Sequence, residues 1–182
     1  KKANIKPGQK VLIVGASGAV GSAAVQLAKS LGAEVTGVCS TANIALVHSI
    51  GADKVIDYTK EDYTRNDKQY DRILDVIAHR SVSDYKRALK PHGIFAMIGG
   101  SMGGLLLQLM FIWPILSRFS NKKLGIMGYR PTRKDLEYLI QLFEEGKLIP
   151  VIDRTYPLQE VPAAFQYFSE GNIKGKIIIN VV

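Results

Sequence analysis

Val11-Leu12-Ile13-Val14-Gly15-Ala16-Ser17-Gly18-Ala19-Val20-Gly21 runs from four apolar residues straight into glycines spaced three apart. A short continuous apolar run entered through Pro7-Gly8 suits a strand buried on both faces of a parallel sheet. From Ala19 to Leu31, Val20, Ala23, Ala24, Leu27, Ala28 and Leu31 recur at helical spacing, and Gly32 supplies the stop. The spacing therefore predicts strand, tight turn and helix in succession.

The alternation continues outward. Glu34 to Val38 reads as a strand, Ile44 to Ile50 as a helix ended by Gly51, and Lys54 to Asp57 as a third strand. Ile73 to Ile77, Ser81 to Leu89 and Ile94 to Ile98 give strand, helix, strand. Lys123 to Met127 reads as a strand and Arg133 to Glu145 as an amphipathic helix. Pro150 to Asp153, a helix over Val161 to Ser169, and Lys176 to Val181 complete the chain. Strands alternating with helices imply right-handed crossovers and a parallel sheet. The expected fold class is a doubly wound α/β Rossmann domain with a mainly parallel sheet of about six strands and its ligand at their carboxyl ends.

Backbone amides at such a helix start donate to a pyrophosphate, and small residues let it approach. Gly15, Ser17, Gly18, Ala19, Val20 and Gly21 are therefore candidate cofactor-binding residues, against the plainer reading that the glycines only permit a tight turn. No Gly-Lys-Ser/Thr ending follows, so a P-loop is excluded. No tyrosine is followed four residues later by a lysine, which excludes the short-chain dehydrogenase pair.

An acid at the end of the second strand would bind the ribose 2′-hydroxyl of NAD. Here stand Cys39-Ser40-Thr41-Ala42-Asn43, and the nearby acid, Glu34, opens the strand. Ser40, Thr41 and Asn43 offer donors for a 2′-phosphate, so NADP(H) is the expected cofactor. The alternative for Ser40 and Thr41 is capping of the helix near Ile44. Lys60 and Lys174 are cations that could approach the phosphate, or surface lysines.

Composition narrows the partners. The net charge of +8 is dispersed rather than gathered, which argues against nucleic acid. The apolar stretch Leu105 to Leu116 is far short of the ~20 residues that span a bilayer, so no membrane span is expected. One cysteine, Cys39, and three scattered histidines, His48, His79 and His92, give neither a disulfide nor a zinc-ligand spacing, so no metal is expected. A reducing, cytoplasmic setting is the default. The start Lys1-Lys2-Ala3-Asn4, with no initiator Met and no signal pattern, suggests a piece of something longer.

The run Lys6-Pro-Gly-Gln-Lys-Val-Leu-Ile-Val-Gly-Ala-Ser-Gly-Ala-Val-Gly-Ser-Ala-Ala-Val-Gln-Leu-Ala-Lys resembles the cofactor domain of medium-chain dehydrogenase/reductases, most nearly the zinc-independent quinone oxidoreductases. Gly51-Ala-Asp-Lys-Val-Ile-Asp-Tyr, Arg87-Ala-Leu-Lys-Pro-His-Gly and Gly171-Asn-Ile-Lys-Gly-Lys extend the likeness over nearly the whole chain. The resemblance implies that residues 1–182 form the NADP(H)-binding domain of a two-domain reductase whose N-terminal GroES-like domain is absent from this sequence. It implies hydride transfer from NADPH to a quinone or an α,β-unsaturated carbonyl. A zinc-dependent alcohol dehydrogenase and a non-catalytic NADPH-sensing module are the alternatives.

By position, the resemblance places Gly18, Ala19 and Val20 at the pyrophosphate, Tyr58 along the adenosine phosphate, and Ile98-Gly99 toward the nicotinamide. Met127 and Gly128 are weaker candidates. A homodimer through the edge strand near Lys123 to Met127 is a further implication. Where this family commonly has a glycine after the fourth strand, Ile77-Ala78-His79-Arg80 stands instead. His79 is a candidate proton donor or a solvent-facing loop residue. Gly104 to Phe119 is expected to be a core helix, a flap over an apolar substrate, or a surface under the second domain. No catalytic residue is assigned.

Overall fold

The computed structural model describes residues 4–99, 107–117, 120–126, 132–171 and 173–181. Six strands, β1 (Lys10–Val14), β2 (Glu34–Cys39), β3 (Lys54–Asp57), β4 (Tyr70–Asp75), β5 (Leu89–Met97) and β6 (Lys123–Ile126), form one sheet. Their order is β3-β2-β1-β4-β5-β6, and every neighbouring pair is parallel.

The apolar run of β1 is explained by burial on both faces. Val11 and Ile13 pack with Val25 and Ala28 of helix α1 (Ala19–Ser30) and Val47 of α2 (Ile44–Ser49). Leu12 and Val14 face the other way, toward Val82, Tyr85 and Ala88 of α3 (Val82–Ala88). Each fully buried Val, Leu or Ile among these stabilises the fold by about 1.5–3 kcal/mol. Tyr85 also stacks on Phe95 of β5, with ring centroids 4.1 Å apart. This is the doubly wound arrangement that the sequence predicts.

Of the apolar stretch, residues 104–106 and 118–119 lie outside the described part. The remainder forms a π-turn over Gln108–Ile112 leading into α4 (Trp113–Ser117). Leu109 and Trp113 enter the core, whereas Leu107, Met110, Phe111, Ile112 and Ile115 are exposed. Among the described residues no helix is long and apolar enough to cross a membrane.

The turn from β1 to α1 depends on two glycines. Gly15 has φ +78°, and a Cβ there would lie 2.7 Å from Val76 Cγ2. Gly21 sits so close to the turn that a Cβ would lie 2.0 Å from the Gly15 carbonyl oxygen. The third glycine of the motif thus seats the helix against the strand.

At the end of β4 the apolar run misleads. Strand is predicted through Ile77, but the buried Asp75 carboxylate accepts the amides of Ile77 and Ala78, both at 2.7 Å, and the Tyr85 hydroxyl at 2.5 Å. Those bonds turn the chain out of the sheet after Asp75. Burial and the adjacent Asp75 push the Tyr85 phenol far above its usual range, so it remains a donor.

After α5 (Arg133–Glu144), begun by a capping box between Thr132 and Asp135, the chain departs from the main sheet. Strands β7 (Ile152–Pro157) and β8 (Lys176–Asn180), joined through α6 (Val161–Ser169), pair in parallel as a separate two-stranded sheet. Buried Gln26 of α1 holds the segment before β7, donating to the Ile149 carbonyl at 2.9 Å and accepting its amide at 2.7 Å. Gly175 donates its amide to the Ser17 carbonyl at 2.9 Å.

A third tie closes β3. The Thr41 and Thr59 hydroxyls donate to the Asp57 carboxylate, Thr59 at 2.7 Å. Chiefly through the Thr41 hydroxyl, these bonds lower the Asp57 pKa to about 2. A depressed carboxylate contributes stability that is present above its ordinary pKa of 3.8 and lost as pH falls toward about 2. Thr41→Val is therefore expected to lower the urea midpoint at pH 7 and to flatten its fall between pH 4 and 2; parallel acid limbs for both proteins would refute this. Gly21→Ala is expected to cost about 2–3 kcal/mol in urea unfolding, because the new methyl meets backbone that cannot yield.

Candidate functional site

A cleft of about 830 Å³ opens at the carboxyl ends of β1 to β4. The chain runs outward in one direction from β1 to β2 and β3 and in the other to β4, so this cleft lies at the topological switch point of the sheet. Several of the residues singled out in the sequence line it: Gly15, Ser17, Gly18, Ser40, Asn43 and Tyr58, together with His79 and Lys174.

The glycine-rich turn is fixed by backbone bonds. The amides of Gly15 and Ala16 both donate to the Val38 carbonyl, at 3.1 and 3.0 Å, tying the turn to β2. Gly18 is the N-cap of α1 and has no side chain to cap it, and the first turn carries no acid. The first intrahelical bond is Ser22 N–H to the Gly18 carbonyl, at 2.8 Å. Helix geometry leaves the amides of Ala19, Val20 and Gly21 without intrahelical acceptors, and the helix dipole adds partial positive charge there. Ala19, Val20 and Gly21 do not themselves line the cleft; Gly21 acts through packing.

The end of β2 is not a helix cap. Neither Ser40, before the 3₁₀ turn Thr41–Asn43, nor Asn43, before α2, makes a side-chain cap bond. The Asn43 side chain instead donates to Ser17 Oγ and Ser40 Oγ, both at 3.2 Å. Thr41 turns away from the cleft toward Asp57. Burial pushes the Cys39 thiol up to about 11, so it adds no charge to the cleft at neutral pH.

Beyond β4 the wall is formed by Ile77, His79 and the ring of Tyr63. The Tyr63 phenol is pushed up to about 12, first by burial and then by Asp75. Arg80 lies 5.4 Å above the Tyr63 ring and pairs with Asp62 at 3.1 Å. His79 is exposed on a loop.

The remaining wall comes from the far end of the chain. Arg154 of β7 lies 3.9 Å from the ring centroid of Tyr167 on α6, and the Tyr167 hydroxyl donates to Asp153 at 2.9 Å. The Lys174 amide donates to the same carboxylate, also at 2.9 Å. Arg154, Tyr167 and Lys174 thereby bring two cations to the cleft that holds Ser40 and Asn43. Of these the sequence suggested Lys174 alone. Arg154 and Tyr167 carry no local signal, because their meeting depends on the crossover through α6.

Ile98 and Gly99 lie just past β5, outside this cleft, where the Ile98 amide donates to the Asp75 carbonyl at 2.8 Å. Met127 and Gly128 lie outside the described residues. Among the described residues, no group of three or more His, Cys, Asp or Glu side chains could hold a metal ion.

The sequence and fold have clear relatives. Residues 50–179 match the model of a family described as zinc-binding dehydrogenase. The chain is 34% identical to a mitochondrial NAD(P)H oxidoreductase of Mus musculus, over 96% of this chain and 48% of that protein. It is 33% identical to a chloroplastic quinone oxidoreductase of Triphysaria versicolor, over 95% of this chain and 53% of that one. The solved structure of the quinone oxidoreductase from Coxiella burnetii superposes with a TM-score of 0.82 at 25% identity, covering all of this chain and 55% of that one. The chain thus spans about half the length of the curated relatives it matches. A parallel sheet in the order β3-β2-β1-β4-β5-β6, a glycine-rich turn at its switch point and the family match together establish this chain as a member of the zinc-binding dehydrogenase family, the cofactor-binding domain of a medium-chain dehydrogenase/reductase.

Proposed function

We propose that this chain binds NADPH for an oxidoreductase that reduces a quinone or an α,β-unsaturated carbonyl. The observation that carries the reading is the uncapped start of α1 beside a switch-point cleft lined by hydroxyl donors and two cations, Arg154 and Lys174, against one carboxylate, Glu170. The residues present fit the cofactor's charge. Gly15, Ser17 and Gly18 line the place for its pyrophosphate, with the amides of Ala19 and Val20 adding positive potential and Gly21 seating the helix that presents them. Ser40 supplies a donor for the 2′-phosphate; Arg154 and Lys174 supply charge; Tyr58, about half exposed at the end of β3, flanks the adenosine. Thr41 serves this end indirectly, by fixing the turn through Asp57.

When bound, the nicotinamide supplies a hydride equivalent to an electron-poor double bond. The chain itself orients the dinucleotide across the strand ends, with Ile98 and Gly99 on the nicotinamide side. The substrate's remaining contacts belong to an N-terminal GroES-like domain of the complete protein. The outer edge of β6, which pairs with no further strand among the described residues, is the proposed seam of a homodimer. The reduced Cys39 suits a reducing compartment; the relatives named above carry mitochondrial and chloroplastic addresses, and a cytoplasmic one is our proposal here.

Calorimetric titration of the complete protein is expected to give NADPH binding at least about tenfold tighter than NADH, the difference that charge-assisted bonds to a phosphate supply. Ser40→Asp is expected to weaken NADPH by about tenfold or more while leaving NADH within about threefold. Equal affinity for the two cofactors would overturn the NADP assignment, and binding of neither would overturn the cofactor reading.

A further inference from the structure

Asn43 bridges two walls of the cleft that are 23 residues apart in sequence. Its Nδ2 lies 3.2 Å from Ser17 Oγ in the glycine-rich turn and 3.2 Å from Ser40 Oγ at the end of β2. Its Oδ1 is buried and has no hydrogen-bond partner, so the amide is held through its NH₂ group alone. Its backbone amide donates to the Ser40 carbonyl at 3.0 Å, which keeps the side chain between the two serines.

A hydroxyl has one proton to give and two lone pairs to receive. Each serine spends a lone pair on Asn43. Among the described residues neither hydroxyl donates to a protein acceptor, and both border the cleft. An amide that feeds both oxygens therefore leaves both protons directed elsewhere, toward whatever acceptor occupies the cleft. A bond in which the oxygen already accepts is also polarised to donate more strongly.

We propose that Asn43 is a positioning residue that presets the Ser17 and Ser40 hydroxyls as donors to two separate phosphate groups of one ligand, and so couples the pyrophosphate and 2′-phosphate subsites. Asn43 itself touches neither phosphate. This inference rests on the NADPH reading above and adds to it a dependence between its two ends. Loss of either serine loosens Asn43 and with it the orientation of the other serine. The two contributions are consequently not independent.

The test is a double-mutant cycle on the complete protein, read as the dissociation constant for NADPH by calorimetry. Ser17→Ala, Ser40→Ala and the double variant are compared in the Asn43 background and again with Asn43→Ala. With Asn43 present, each single variant is expected to weaken NADPH by about tenfold, and the double variant by clearly less than the product of the two, by about threefold or more. With Asn43→Ala, each serine loss is expected to have a smaller effect and the effects to multiply. Asn43→Ala alone is expected to weaken NADPH about tenfold but NADH only about threefold, because NADH engages one serine of the pair.

Multiplicative losses with Asn43 present, or unchanged NADPH affinity in a folded Asn43→Ala protein, would overturn the inference and leave the cofactor reading intact. Failure of the unaltered protein to bind NADPH would overturn both. The serine cycle in the Asn43 background decides the matter even if Asn43→Ala does not fold.

Discussion

The contact between the Gly15 carbonyl and the bare α-carbon of Gly21 is the constraint on which the domain is built. A side chain at position 21 would overlap that oxygen, so its absence lets α1 start directly over the end of β1. The helix then lies flat on the sheet, where Val25 and Ala28 bury against Val11 and Ile13. The same contact aims the open amides of the first turn at the switch point. One steric allowance thereby serves both the packing of the helix and the direction of its open amides.

From that seat the rest of the architecture follows by burial. A strand buried on both faces needs helices on both sides, and parallel neighbours need crossovers to supply them. The first two helices cover one face, and α3 with the stretch entering α4 covers the other. Because the crossovers on the two flanks of β1 diverge, the loops after β1 and β4 part at the strand ends and leave a cleft between them. The site is a by-product of topology before it is a matter of particular side chains.

Much of this was legible because the governing interactions are local. The strand-turn-helix at Val11 to Leu31, strand β3 and helix α6 depend on apolar period, glycine and turn chemistry within a few residues. The end of β4 was not legible, since apolar periodicity does not reveal that Asp75 will face inward and gather the amides of Ile77 and Ala78. Nor was the separation of β7 and β8 from the main sheet, which pairing over some twenty residues decides. At the site, Ser40, Thr41 and Asn43 stand out as donors and Ser17 as part of the glycine-rich turn, but the bonds of Asn43 to the two serines, and the turning of Thr41 to Asp57, depend on how two loops meet.

The small parallel ribbon of β7 and β8 stands apart from the main sheet, with both strands half in solvent, and a two-stranded sheet holds little stability of its own. Among the described residues its moorings are the Gln26 clamp and the Gly175 bond to the back of the glycine-rich turn. It is accordingly the part of the domain suited to detach and reattach as a cooperative unit, on a scale of free energy below global unfolding. Since Arg154 and Lys174 are carried by this ribbon, the two cations of the cleft hang on those few bonds rather than on the main sheet itself.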